Sequence, residues 1–215
     1  RVSAIQALES SLDVPQENPE EQEDAPAVEF DGVTFTYPTG GAPALDDISF
    51  TLGHGKTLGI IGGTGSGKST LIGLIPRFYD VQEGCVKVNG CDVRQYPLET
   101  LRRKIGLVPQ KALLFKGTIR ENLLWGDEGA TDDAIYDALK AAQAQEVVDG
   151  KPEGLDYEVE TGGRNFSGGQ RQRLTIARAL VRKPEVLILD DSASALDFAT
   201  DAALRHALRE LPWKP

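Results

Sequence analysis

Residues 62–70 read GGTGSGKST, which fits the pattern G-x-x-x-x-G-K-[ST] with Gly62, Gly67, Lys68 and Ser69 in the fixed places. Glycines let a backbone turn tightly and aim successive N–H groups at phosphate oxygens. Gly62, Gly63, Thr64, Gly65, Ser66, Gly67, Lys68, Ser69 and Thr70 are therefore the candidate cradle for a triphosphate. In such a loop the lysine bridges the β- and γ-phosphates, and the hydroxyl after it binds Mg²⁺. The flanks suit the motif. The apolar run TLGII at 57–61 predicts a strand before the loop, and Lys68–Tyr79 predicts a helix whose positive end faces the same anion. The other half of a magnesium site is expected as an acid at the end of a buried strand. Asp190 follows the apolar run Val186–Leu189 in that way.

On either side, strand and helix signals alternate. Residues 28–37 (VEFDGVTFTY) and 48–52 (ISFTL) are rich in β-branched and aromatic residues, as strands are. Cys85–Asn89 predicts a strand entering an Asn89-Gly90 turn, and 105–109 (IGLVP) predicts a buried strand. Thr131 can cap a helix with Ala134, Ile135, Ala138, Leu139 and Ala142 on one face. Further helices are expected over 168–182 and 199–211, which makes the chain α/β with a helical insertion. Residues 15–26, PQENPEEQEDAP, are acidic and bounded by prolines, and read as a linker. Val2, Ile5, Leu8 and Leu12 have the spacing of a helix tail.

The bulk composition bounds the partners. The chain has 215 residues, and 33 acidic against 23 basic side chains give a formal charge of -10. So acidic a surface repels phosphate backbones and argues against nucleic acid, while a few placed amides and one lysine still suffice for a single nucleotide. Cys85 and Cys91 are expected to be reduced thiols, and His54 and His206 have no metal-ligand spacing around them. No stretch approaches the ~20 apolar residues that span a bilayer. The chain contains no methionine and begins at Arg1, so we expect it to be part of a longer protein.

Residues 166–173 read FSGGQRQR. Gln170 stands three residues after Ser167, the capping-box spacing, and Gly168 and Gly169 leave the first-turn N–H groups clear of side chains. Through this segment and the glycine loop, the chain resembles the ABC ATPase family over roughly residues 28–211. The resemblance implies a P-loop NTPase core with an antiparallel β subdomain and an α-helical signature subdomain. It makes 28–215 the ATPase domain, and 1–27 the end of a membrane-domain helix with its acidic linker. It implies ATP and Mg²⁺ as ligands and a second such domain packed head to tail. Ser167, Gly168, Gly169 and Gln170 then reach the nucleotide held by that partner. It further implies that Tyr37 stacks on adenine. Gln110 reaches Mg²⁺ and the attacking water, Ser69 and Asp190 hold Mg²⁺, and Ser194–Asp197 links the two sites. LFKGTIREN at 114–122 resembles the exporter branch, which carries a fused upstream transmembrane part and works at the cytoplasmic face of the cell membrane.

Three positions depart from the family pattern. Phe166 replaces the usual leucine, which keeps the site apolar. Thr161 stands where exporters often have glutamate, with Glu158 and Glu160 nearby. Asp191 stands where the family has its catalytic glutamate. A side chain shorter by one carbon–carbon bond, about 1.5 Å, holds a base back from the water it must approach. An aspartate here, with an intact SGGQ, resembles the degenerate half of a heterodimeric exporter, paired with a non-identical chain. The family's switch histidine falls beyond Pro215, so weak turnover is expected of the isolated chain. Two other classes remain open: a soluble ABC-type ATPase switch without transport, and a regulatory module that binds nucleotide only.

Overall fold

A computed structural model describes residues 12–192 and 194–215. The helix tail expected over residues 1–12 lies outside them except for Leu12. The chain divides after Arg102 into two compact units.

In the first unit β1 (Val28–Phe35) is flanked by β2 (Leu45–Leu52) and β3 (Glu83–Val88), both antiparallel. With β4 (Cys91–Asp92) the sheet order is β2-β1-β3-β4. β1 buries Val28, Phe30, Val33 and Phe35. The three-residue step from Phe30 to Val33 coincides with a register shift against β2, so a bulge restores the inward phase. Phe30 stacks on Phe50 of β2 at 4.7 Å. The expected turn is present: Asn89 and Gly90 have φ of 50° and 78°, the two left-handed residues of a tight hairpin turn. Cys85 and Cys91, on either side of it, are free thiols.

The helix after the glycine loop, α1 (Lys68–Leu74), is shorter than expected. Ile75 keeps helical dihedrals, φ -61° and ψ -50°, but Pro76 after it offers no N–H to carry the helix on. Arg77 then takes φ 52°, and the Phe78 N–H returns to the Gly73 carbonyl to close the end. The strand expected at 57–61 is not formed, and Ile61 is 98% exposed. Apolar composition alone does not make a strand. A ladder partner is required, and none of the described strands pairs with this run.

The acidic segment before β1, whose composition reads as a linker, makes hydrogen bonds to the first unit. Arg77 Nη2 donates to the Asp13 carbonyl at 2.8 Å, and Cys91 Sγ donates to the Glu20 carbonyl at 3.0 Å. The Gln22 N–H bonds the Asn89 carbonyl, and the Asn89 N–H bonds the Ala27 carbonyl. Asn89 Nδ2 reaches Glu21 at 2.8 Å. The segment has few apolar side chains to bury, but its backbone carbonyls find donors in Arg77, Asn89 and Cys91. Gly90 makes room, because a Cβ there would lie 2.8 Å from Ala25 Cβ. Burial, with Glu21 adding to it, pushes the phenol of nearby Tyr96 well up. Tyr96 donates to the Val88 carbonyl.

Following α2 (Leu98–Lys104), the second unit is built on β5 (Ile105–Val108), which pairs in parallel with β8 (Val186–Leu189), Ile105 opposite Val186. A short ladder joins β6 (Gly117–Thr118) to β7 (Glu158–Val159). The helices are α3 (Ile119–Leu124), α4 (Asp132–Ala141), α5 (Gln145–Asp149), α6 (Gly168–Val181) and α7 (Phe198–Arg209). Ile119, Leu123, Ile135, Leu139, Leu174 and Leu180 pack into one core. Thr131 caps α4 as expected, and a Thr118–Glu121 capping box opens α3. Beneath α3, Arg178 donates to the Asn122 carbonyl, Asn122 Oδ1 and the Leu113 carbonyl. Burial pushes its guanidinium down to about 10.

Candidate functional site

In the first unit, the glycine loop closes on its own lysine. Lys68 Nζ donates to the carbonyls of Gly62 at 2.7 Å and Gly63 at 2.8 Å, and more weakly to Ser66 Oγ at 3.4 Å. Residues 62–66, Thr64 and Gly65 among them, are exposed. The ammonium is thus held in the mouth of an open loop by neutral acceptors, which an anionic oxygen can outcompete. Gly67 is required by geometry: φ is 86°, and a Cβ would meet the Ala44 carbonyl at 2.6 Å. Ser69 follows with an exposed side chain, and Thr70 turns inward, where its Oγ1 shares a hydrogen bond of 2.9 Å with the Tyr37 hydroxyl. The Tyr37 ring stands nearly perpendicular to Phe35 at 4.9 Å and to Tyr79 at 5.4 Å. Nothing in the sequence pattern placed Tyr79 beside Tyr37, because the two are far apart in the chain.

In the second unit, β8 ends in the two aspartates. The Asp190 N–H still bonds the Val108 carbonyl of β5, which holds Asp190 in line with the strand. Asp191 leaves it with φ 48°, a left-handed backbone that short polar residues tolerate better than others. Gln110 Nε2 donates to Asp191 Oδ2 at 3.1 Å, so the glutamine after β5 and the acid after β8 are brought together. The Ser194 N–H and hydroxyl both return to the Asp191 carbonyl. Ser69 in the first unit carries a hydroxyl and Asp190 in the second a carboxylate, and each is a hard oxygen donor of the kind Mg²⁺ takes.

The FSGGQ segment opens α6 with both bonds of the predicted capping box. The Gln170 N–H donates to Ser167 Oγ at 3.2 Å, and the Ser167 N–H donates to Gln170 Oε1 at 3.0 Å. Ser167 and Gly168 face solvent, whereas Phe166 is buried edge-on against Tyr157. Arg171 Nη1 donates to the Phe166 carbonyl at 2.6 Å and fixes the approach to the cap. A Cβ on Gly169 would come 3.2 Å from the Ala195 carbonyl, so the 194–197 loop lies against the start of α6. That loop ends at Asp197, which caps α7. Its carboxyl is held below the usual carboxylate range by the Thr200 N–H and hydroxyl.

The chain is similar to known proteins in sequence and in fold. Residues 45–194 match the ABC transporter family. An ABC transporter ATP-binding protein of Mycobacterium tuberculosis is 50% identical over 187 residues, 86% of this chain and 32% of that protein. A probable multidrug resistance ABC transporter ATP-binding/permease protein of Bacillus subtilis is 42% identical over 210 residues, 98% of this chain and 36% of its own. A β-(1→2)glucan export ATP-binding/permease protein of Rhodopseudomonas palustris is 48% identical over 184 residues, 86% of this chain and 30% of its own. The solved structure of a bacterial Atm1-family ABC exporter with ATP bound superposes with a TM-score of 0.87 at 34% identity, covering 96% of this chain and 36% of that one. The chain belongs to the ABC transporter family, and its fold is that of the family's ATPase domain. It spans about a third of the length of the curated relatives it matches. Among the described residues no helix is long and apolar enough to cross a membrane.

Proposed function

We propose that the chain is the ATP-binding and ATP-hydrolysing domain of an export transporter, fused to a transmembrane part and working at the cytoplasmic face of the cell membrane. The observation that carries this reading is the loop at 62–67 with Lys68 Nζ poised on the Gly62 and Gly63 carbonyls. An incoming phosphate offers that ammonium a charged acceptor in place of two neutral ones, and charge-assisted bonds are about twice as strong. Tyr37 takes the adenine, the loop N–H groups take the phosphates, and Ser69, Gln110 and Asp190 supply oxygens to Mg²⁺. The ion would neutralise charge developing on the phosphates. Export rather than another use is supported by the relatives named for multidrug and glucan export.

In this reading Asp191 is the base or water-holding group of the chain's own site, and a slow one. Its carboxylate is a methylene short and is engaged by the Gln110 amide. A misplacement of about 1.5 Å costs on the order of 10²-fold in rate. The capped, open start of α6 supports a second role. Ser167, Gly168, Gly169 and Gln170 complete the nucleotide site of a non-identical partner ATPase domain in a head-to-tail pair. ATP closes that pair because the contacts exist only in the closed state, and hydrolysis reopens it. Calorimetry of the chain with Mg-ATP tests the foundation. Lys68→Ala is expected to weaken binding about 100-fold, from loss of charge-assisted bonds to phosphate. Undiminished affinity in that variant would defeat the reading.

A further inference from the structure

We infer that Tyr79 is a positioning residue for the base-stacking ring of Tyr37, acting together with Thr70. The inference rests on the reading of Tyr37 given under the proposed function. Tyr37 lies just past the end of β1 and is 36% exposed, in a stretch that continues through Gly40 and Gly41. A ring in that setting presents a defined face to a ligand only if something holds it. Three contacts do. Phe35 stands at 82° to it, but Phe35 is 1% exposed and belongs to the core of the sheet. The Tyr37 hydroxyl is engaged by Thr70 Oγ1, two residues after Lys68, so the ring is tied directly to the helix that the phosphate loop opens. The third contact is Tyr79, at 84° to Tyr37 and tilted at 44° to Phe35.

Tyr79 is 42% exposed, so burial alone does not account for its position. It is delivered there by the turn after α1. Arg77 is buried with a left-handed backbone, donates through Nε and Nη2 to Asp80, and so fixes the residues on both sides of Tyr79. Perpendicular aromatic contacts of this kind are attractive beyond their buried area, because the positive ring edge meets the negative face. With its hydroxyl taken by Thr70 and its ring set against Tyr79, Tyr37 enters binding with few orientations to lose, and such preorganisation appears as affinity. The effect belongs to the base alone, since the phosphates are held elsewhere on the loop.

The test compares Mg-ATP with Mg-tripolyphosphate, which has the phosphates and no base, by calorimetry on the chain and its Tyr79→Ala, Tyr79→Phe and Tyr37→Ala variants. Tyr79→Ala is expected to weaken Mg-ATP by about 2- to 10-fold, the range that one aromatic pair supports. It should leave Mg-tripolyphosphate unchanged, and Tyr79→Phe should restore wild-type affinity. Parallel loss of both ligands in Tyr79→Ala would mark a merely structural residue and overturn the inference, as would unchanged ATP affinity or a Phe variant as weak as Ala. Tyr37→Ala separates the two levels. If it loses ATP affinity while Tyr79→Ala does not, only the positioning role fails. If Tyr37→Ala itself keeps full ATP affinity, the base-stacking assignment fails first.

Discussion

Lengthening Asp191 to glutamate tests the catalytic role proposed for this position. The extra methylene extends the carboxylate by about 1.5 Å. Recovering that reach is expected to raise hydrolysis at this site about 100-fold, a barrier lowered by about 2.7 kcal/mol. The same change has a structural cost. Asp191 has φ 48°, where a glutamate is less comfortable by about 1 kcal/mol. The 3.1 Å bond from Gln110 must rearrange, worth about 1 kcal/mol more. A domain stable by 5–15 kcal/mol, the usual order of magnitude, survives both. Under the proposed pairing, the assay is phosphate release by the reconstituted pair, with the catalytic glutamate proposed for the partner first changed to glutamine so that background turnover is low. Asp191→Glu should then restore rapid release. A rate within about threefold of the unmodified background would refute the idea that a short base limits this site, since the reach argument predicts some two decades.

Three further outcomes concern the scaffold. Gly90→Ala forces a side chain into a φ of 78° and against Ala25; we expect about 1–2 kcal/mol lost in urea unfolding and faster protease cleavage within 13–27, and a segment as protected as before would refute the docking. Arg178→Met leaves the Asn122 and Leu113 acceptors without their donor, so unfolding should shift by about 2–4 kcal/mol through loss of the α3–α6 contact, while a shift below about 0.5 kcal/mol would show that water replaces it. The Asp197 carboxyl is lowered by its bonds from Thr200, so its stabilising effect is present above about pH 4, where a free aspartate is ionised, and is lost as pH falls through the lowered value. Asp197→Asn, which keeps an acceptor but cannot titrate, should flatten that part of the acid-unfolding curve, and an identical curve would refute the linkage.

What could be read in the sequence was what depends on neighbours in the chain. The Asn89-Gly90 turn, the Thr131 cap and the Ser167–Gln170 capping box each rest on a few adjacent residues, and each is in place. The closed glycine loop is local in the same way, since Lys68 reaches back over six residues to the Gly62 carbonyl. Local reading failed where distant groups decide. Residues 57–61 have the composition of a strand, but a strand needs a ladder, and local pattern does not supply one. The segment 15–26 has the composition of a free coil, yet its Glu20 carbonyl is held by Cys91, 71 residues away. Tyr79 and the Gln110–Asp191 bond escaped for the same reason: chains that fold back bring together residues that no window contains.

The fastening of residues 13–27 has a mechanical consequence. A free coil of that length would wander over roughly 20 Å, and any tug on its far end would first be spent straightening it. Pinned at Asp13, Glu20, Gln22 and Ala27, it has no slack to take up. A displacement at Asp13 is therefore felt directly by Arg77, in the turn behind the glycine-loop helix, so the segment is tethered more as a strut than as a leash.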